Sequence, residues 1–447
     1  MECDFTMTGN DKNDLGIRYL AFEGGGGRGA AYVGAVKALQ HHNVIAYKES
    51  STKAGSTIKT LDPNKLKGIS GTSAGAITAA LLAAGYDYEF FIKMLTSETP
   101  LRFFDDAAFL KCPVLPFEKP KFSPMQLLKN SKGNKMKFKD MAKTYSVASV
   151  AGLLKGKRTR HLFSPFLGDN TSDDSFPYML EKIRKKPGSY IVSLMWDMGL
   201  FTGMAIREWI DERLHEATGI QNITFKTFNE LTEEKGQGIH LKIAGVCLNT
   251  AEVVWFDHLG PWKHLPIADA VRISLSIPGI FKPVAITTQP SKKGIDLEKA
   301  LLFVDGGVLN NTPIHAFDTI NEEETAVTKA EEYLFGIKAR LPNKVLPLNR
   351  EVLGLRLIDP SEGGIQWFSN GISMIGGVLN ALMSQSERNQ IRTTGEAKHT
   401  IELDTSGLNI LEFTVDSKKM ANKCDDIFNY TDNWLSKKWK VRMQKEY

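Results

Sequence analysis

Apolar positions along this chain fall into two kinds of run. Short, mostly apolar stretches at 17–22, 66–69, 241–248 and 301–304 read as strands buried on both faces. Between them the apolar residues recur at helical spacing. Ala31, Val33, Ala35, Val36 and Leu39 mark one helix, and 74–84 is a second, rich in alanine. Ile206, Trp209, Ile210 and Leu214 give 204–216 an inward stripe. The stretch 266–277 begins helical and runs into an apolar, turn-rich segment that ends near Val284. A further strand is predicted at 334–339. The last hundred residues read as mainly helical, with Ile375, Val378, Leu379, Leu382 and Met383 in helical register. Strands alternating with helices predict an α/β fold, a mostly parallel central sheet flanked by helices on both faces in three layers.

Composition adds little to this until it is read by region. With 42% hydrophobic and 24% charged residues, the chain is ordinary globular material with enough apolar residues for a large core. The net charge of +5 is unevenly spread. Residues 111–186 carry a net charge of about +11, which leaves the rest net acidic by about 6. This basic region holds prolines at 113, 116, 120, 124, 165 and 177 and scattered phenylalanines, including Phe117, Phe122, Phe138, Phe163 and Phe166. Basic and aromatic residues together suit an anionic lipid surface. They also suit single-stranded nucleic acid, or simply a solvated insert. The four cysteines, Cys3, Cys112, Cys247 and Cys424, show no metal-ligand spacing and read as free thiols. Residues 1–14 form a polar tail without a signal-peptide pattern, and the longest apolar stretch, 371–383, is too short to span a bilayer. A cytoplasmic protein with peripheral membrane contact, or one exported without a cleaved leader, is expected.

Three strand ends offer chemistry. The first strand runs into Glu23 and the glycines Gly24, Gly25, Gly26 and Gly27, then Arg28, Gly29 and a helix. Bare backbone N–H groups ahead of a helix can approach an anion. Gly24, Gly26 and Gly29 also satisfy the dinucleotide fingerprint, with Glu49 about twenty residues on as the acid that reading requires. The second strand ends in Gly71-Thr72-Ser73-Ala74-Gly75 before a helix, the setting in which Gly-x-Ser-x-Gly forms a nucleophile elbow. There the serine takes a strained backbone, and side chains two residues to either side would collide with neighbouring elements. The bland alternative is a serine capping a helix. The 301–304 strand delivers Asp305, followed by Gly306 and Gly307, a combination that also suits a plain turn. In an open α/β sheet, groups at the carboxyl ends of strands converge.

The ordered set Gly24-Gly25-Gly26-Gly27-Arg28-Gly29, Gly71-Thr72-Ser73-Ala74-Gly75 and Asp305-Gly306-Gly307 resembles the patatin-like phospholipase family. Supporting segments are Gly199-Leu200-Phe201, Thr227-Phe228-Asn229-Glu230-Leu231, Ala268-Asp269-Ala270-Val271-Arg272 and Ser276-Ile277-Pro278-Gly279-Ile280-Phe281. Gly27 stands where the family often has an apolar residue. The resemblance implies a catalytic domain over 15–345, with the basic insert at about 98–195 and a helical C-terminal extension over 346–447 packed on the core. It implies a Ser–Asp dyad that cleaves fatty-acyl esters through an acyl-serine, with Ser73 as nucleophile and Asp305 as base. The oxyanion hole would draw on backbone N–H groups among Gly24, Gly25, Gly26, Gly27 and Ala74, while Arg28, Gly29, Gly71, Gly75, Gly306 and Gly307 shape the motifs. The implied substrate is a phospholipid or other acyl lipid at a membrane surface. No cofactor, metal or nucleic acid is expected, and a protein or small-molecule activator fits the family. Two other readings stay open: a Ser–Asp–His triad using His315 or His399, and a non-hydrolytic nucleotide-binding module using the glycine loop. Asp269 and Arg272 are expected to form a helix-surface or structural pair rather than a catalytic one.

Overall fold

The computed structural model describes residues 14–51, 57–97, 103–104, 123–124, 190, 193, 198–233, 236, 238–288, 300–318, 326–340, 347–360, 394–408 and 414–439. The expectations for residues 1–13, for nearly all of the basic insert and for the helix at 371–383 lie outside these residues. Among the described residues no helix is long and apolar enough to cross a membrane.

One mixed sheet organises the chain. Its parallel block has the order β13 (Thr400–Asp404), β12 (Val352–Ile358), β1 (Tyr19–Phe22), β4 (Gly68–Gly71) and β7 (His240–Cys247). Beyond β7 the sheet turns antiparallel through β11 (Leu301–Asp305), β10 (Val284–Thr287) and β5 (Ser123–Pro124), and β8 (Glu252–Phe256) also pairs with β7. Two small pairs stand apart from this sheet: β2 (Tyr47–Ser51) with β3 (Thr57–Leu61), and β6 (Gly199–Phe201) with β9 (Gly279–Phe281). The sheet is therefore mostly parallel at its centre, as the alternating pattern predicts.

The unbroken apolar sequence of β1 follows from its place. Leu20 and Phe22 enter the main core, while Tyr19 and Ala21 pack on the other face with Ile314, Phe317 and Val352. A strand covered on both faces cannot alternate with polar residues. Around it lie α1 (Tyr32–His41), α2 (Ala74–Ala83), α3 (Tyr88–Leu95), α4 (Met204–Thr218), α5 (Phe225–Thr232) and α6 (Ile267–Ser274). All ten residues of α2 are buried, which its alanine-rich sequence without a polar face requires.

The structure departs from the sequence reading at three places. Residues 334–339 are not a strand. They are divided between the end of α7 (Lys329–Phe335) and the segment after it. A capping box, Thr328 with Glu331, nucleates that helix, and Gly336 ends it in the left-handed conformation, φ +70°. The apolar run Leu334–Phe335 alone could not distinguish the two. Second, the residues after 345 are not only helical. They supply β12 and β13 to the central sheet, as well as α8 (Thr394–Lys398) and α9 (Ser417–Asn433). Third, the hydrogen-bonded ion pair of Asp269 is with Arg207, and Arg272 reaches it only through its charge. The Asp269 carboxylate accepts from Arg207 at 3.1 and 3.2 Å, whereas Arg272 donates to the carbonyls of Thr202 and Lys282 and to Ser276 Oγ. Burial leaves both residues to whichever partner the tertiary fold brings, not to their neighbour on the helix.

Candidate active site

Ser73 sits at the tip of the sharp turn from β4 into α2, with φ +50° and ψ −122°. This backbone is costly for a non-glycine residue, and the surroundings enforce it. A Cβ on Gly71 would stand 2.1 Å from the carbonyl oxygen of Gly75, and a Cβ on Gly75 would stand 2.3 Å from that of Phe22. The two glycines thus let the elbow close on itself and lie against the end of β1. The N–H of Ser73 donates to Ser274 Oγ at 2.9 Å, so α6 braces the elbow from below. Thr72 Oγ1 donates to the carbonyl of Asn310 at 3.0 Å, which ties it to the segment after Asp305.

Asp305 reaches this point from the opposite direction to the one the parallel-sheet rule suggests. β11 runs antiparallel to β7, so its carboxyl end points down the sheet. The register brings the two together all the same. Gly71 is level with Ile243 of β7, and Asp305 is level with Gly245, two residues further along. Ser73, two residues beyond Gly71, therefore stands at the height of Asp305 with β7 between their strands. Gly306 is obligatory in this arrangement, because a Cβ there would meet the carbonyl oxygen of Ala244 at 2.6 Å.

Both side chains are shut from solvent, Ser73 at 1% exposure and Asp305 at 0%. Asp305 Oδ1 accepts from the Gly307 N–H at 2.7 Å. Asp305 Oδ2 and Ser73 Oγ have no conventional hydrogen-bond partner among the described residues. The Ser73 hydroxyl is nevertheless close enough to favour the ionised carboxyl. Burial is the stronger influence and pushes Asp305 up to about 7, with the Ser73 hydroxyl and the Gly307 amide opposing it.

The glycine loop lies over the serine. A Cβ on Gly24 would be 3.1 Å from Ser73 Cβ, and one on Gly29 would be 3.0 Å from Ala74 Cβ. The segment Gly26–Ala31 is a 3-10 turn whose first bond within this stretch runs from the Arg28 N–H to the Gly25 carbonyl, 3.1 Å. The N–H groups of Gly25, Gly26 and Gly27 precede that bond and have no partner within the turn. Gly24 must be removed from the expected oxyanion donors, since its N–H is committed to the carbonyl of Asn311 at 3.0 Å.

Buried Glu23 anchors the loop from beneath. Its Oε1 accepts from Thr312 Oγ1 at 2.6 Å and from Asn311 Nδ2 at 3.4 Å, and its Oε2 accepts from the N–H of Leu357. The sequence signalled Glu23 only by its position before the glycines. Ser274, Asn311, Thr312 and Leu357 carried no signal, because each reaches the site from a distant segment. Beside the loop and Ala74 opens an apolar pocket, walled by α1, α2 and α3 and lined by Tyr32, Val33, Ile77, Phe91, Met94 and Phe103 among others.

The competing readings fare differently. His315 Nδ1 is 2.7 Å from Asp318, and its Nε2 is 3.2 Å from Glu396. The Nδ1 of His399 is 3.0 Å from the Val352 carbonyl, and its ring packs on Trp439. Neither is a partner of Asp305. Glu49 is exposed on the β2–β3 pair, outside the central sheet, away from where a ribose-binding acid would follow the second sheet strand.

The Patatin-like phospholipase family profile matches residues 20–318. The uncharacterized protein YqhO of Bacillus subtilis (strain 168) is 30% identical over 189 residues, 40% of this chain and 57% of YqhO. Among solved structures, VipD from Legionella pneumophila is 15% identical with a TM-score of 0.40, covering 94% of this chain and 67% of VipD. The ExoU–SpcU complex from the type III secretion system of Pseudomonas aeruginosa matches at 17% identity and a TM-score of 0.33, covering 95% of this chain and 52% of that one. The chain thus spans only 57% of YqhO and about half of that matched chain. With the family match extending over well more than half of its residues, the chain belongs to the patatin-like phospholipase family.

Proposed function

We propose that the protein is a phospholipase A or lysophospholipase-type acyl hydrolase working through Ser73 and Asp305 without a histidine. The observation that carries this reading is a buried carboxyl with its pKa near 7 beside a buried, strained serine, the Asp305 Oδ2 and Ser73 Oγ being free of other partners among the described residues. An ordinary aspartate, near pKa 4, is too weak a base for a hydroxyl. A desolvated one titrating near neutrality is suited to the task. Contact short of hydrogen-bond geometry is common before substrate closes a site.

In this mechanism Ser73 Oγ attacks the ester carbonyl carbon as its proton passes to Asp305 Oδ2. The tetrahedral oxyanion is held by N–H groups of Gly25, Gly26, Gly27 and Ala74, each donor being worth about 3 kcal/mol of transition-state stabilisation. Collapse breaks the ester C–O bond, and Asp305 returns the proton to the departing alcohol oxygen. Water then attacks the acyl-Ser73 while Asp305 takes its proton, and the fatty acid leaves with Ser73 Oγ reprotonated. The apolar pocket beside Ala74 suits the acyl chain, since burial favours each methylene by about 0.8 kcal/mol. The basic stretch at 111–186 supports contact with an anionic lipid surface.

The test is mass spectrometry of lipids released from mixed phospholipid vesicles, with and without cell extract to supply an activator. Wild type should yield free fatty acid and lysolipid, and Ser73→Ala and Asp305→Asn should yield neither. A variant that stays folded and keeps full activity would remove its residue from the mechanism.

A further inference from the structure

Outside this site, α1 ends on two consecutive histidines that converge with Asp432 from the last turn of α9. His41 Nδ1 lies 3.0 Å and His42 Nε2 2.9 Å from the same oxygen, Asp432 Oδ1. All three donor atoms fall within 4.8 Å of one another. We infer that these side chains form a binding site for a first-row divalent metal, zinc foremost, which fastens the C-terminal helix α9 to the helix that leaves the glycine loop.

The geometry favours a shared ligand. Successive residues of a helix point about 100° apart and do not normally meet at one atom. Here His41 is the last residue of α1 and His42 is its C-cap, φ −84° and ψ 7°. They present opposite ring nitrogens, Nδ1 from one and Nε2 from the other, to a single point. Tetrahedral zinc with bonds of about 2.0–2.2 Å holds its donors roughly 3.3 Å apart. The two separations from Asp432 need to open by only a few tenths of an ångström to admit it, and the two ring nitrogens lie within 4.8 Å of each other.

The donor chemistry narrows the ion. Two imidazoles and a carboxylate suit zinc and its first-row neighbours, whereas calcium and magnesium take oxygen shells. Asp432 also stands at the carboxyl end of α1, where the helix dipole disfavours a carboxylate and favours a cation. The His41 side chain is 65% exposed and that of His42 only 14%. One ligand is thus anchored, while solvent has access to the other side and to a fourth coordination position.

The site would close one end of an existing seam. Further along α1 and α9, Lys37 pairs with Asp425 at 3.1 Å, and Gly34 packs against the Cys424 backbone so closely that a Cβ would come within 2.4 Å of it. Tyr32 and Val33 of the same α1 line the pocket beside Ala74. Sequence spacing shows no metal motif because His42 and Asp432 stand 390 residues apart. The inference does not depend on the hydrolase reading.

The test uses the full chain stripped with a chelator, then titrated with zinc by calorimetry, with metal content measured after dialysis. Wild type should take up one zinc per chain at this site and melt at a higher temperature with zinc than without. His41→Ala, His42→Ala and Asp432→Asn should each weaken zinc binding by about tenfold or more. His41 is exposed enough for its alanine variant to fold, so that variant keeps the test decisive if the others do not. Wild type retaining no zinc, or His41→Ala and Asp432→Asn binding it as tightly as wild type, would overturn the inference and leave only histidine–aspartate hydrogen bonds.

Discussion

Asp305 holds its carboxyl where water has no access, and its pKa stands at about 7 because of that burial. Two consequences follow for pH. If Asp305 is the base, only its ionised form is active. On a small soluble ester, kcat/KM should then rise about tenfold per pH unit below 7 and level off above it. A flat profile down to pH 5 would exclude Asp305 as the base. The second consequence concerns stability. The folded pKa lies above the ordinary 3.8, so the native state holds a proton that the unfolded chain has released. Any stability from this group is intact below about pH 4 and is lost as pH rises to about 7, by at most about 4 kcal/mol. Asn at this position keeps an acceptor for the Gly307 N–H and has no charge to desolvate. Asp305→Asn should therefore be inactive yet more stable than wild type in urea unfolding at pH 8, with the gap closing toward pH 4. Equal stability at both pH values would mean that the carboxyl is solvated in solution. The strained turn at Ser73 was legible because its motif acts through local sterics, whereas Asp305 was singled out only by the ordered set of motifs. Ser274 was not, since it meets Ser73 across 201 residues of sequence, and Leu357 meets Glu23 across 334. Only topology makes those contacts.

The elbow shows how an element's shape is written in a few positions. Gly71 and Gly75 are predicted by the motif, and the structure supplies the reason each has no side chain. Gly75→Ala would drive a methyl group into the carbonyls of Phe22 and Glu23, at 2.3 and 2.6 Å, forcing α2 away from β1. Overpacking of this kind costs about 1–3 kcal/mol, and here it also displaces Ser73. Gly219→Ala is the matched comparison. It has nothing within 4 Å to strike but sits at φ +74°, so it carries only backbone strain of about 1 kcal/mol. Melting curves and ester assays should separate them: Gly75→Ala loses both stability and activity, and Gly219→Ala loses a little stability alone. Equal activity in the two variants would mean that the elbow tolerates displacement. Element types were readable where periodicity was long, as in α4, and failed where a short apolar run met a capping signal, as at Thr328 and Glu331. The antiparallel course of β11 was unreadable for a related reason. A buried strand has the same apolar sequence whichever way it runs.

At the scale of the whole molecule, the C-terminal residues hold the glycine loop in place. The family match ends at residue 318, yet β12 is the direct neighbour of β1 and pairs with it from Tyr19–Val352 to Phe22–Leu355. Two residues on, Leu357 donates its N–H to Glu23, and its side chain lies where a Cβ on Gly25 would come within 2.5 Å. α9 then packs along α1, and Trp439 donates Nε1–H to the carbonyl of Leu15 at 2.7 Å. Sequence reading set these residues apart because helical period dominated the last hundred positions, while β12 pairs with β1 from more than three hundred residues away. Cutting the chain after residue 345 would expose the edge of β1 as unpaired backbone and leave buried Glu23 without one of its donors. An uncompensated buried carboxylate costs several kcal/mol, and an open edge invites aggregation. We therefore expect residues 1–345 to be insoluble, or soluble without a cooperative melt and without ester hydrolysis, whereas the full chain melts as one unit. Supplying 346–447 in trans should recover soluble, active protein if those strands can still add to the edge. A truncated chain that melts cooperatively and hydrolyses ester at the full rate would show that the glycine loop holds its shape without Leu357, and that the sheet beyond β1 is dispensable.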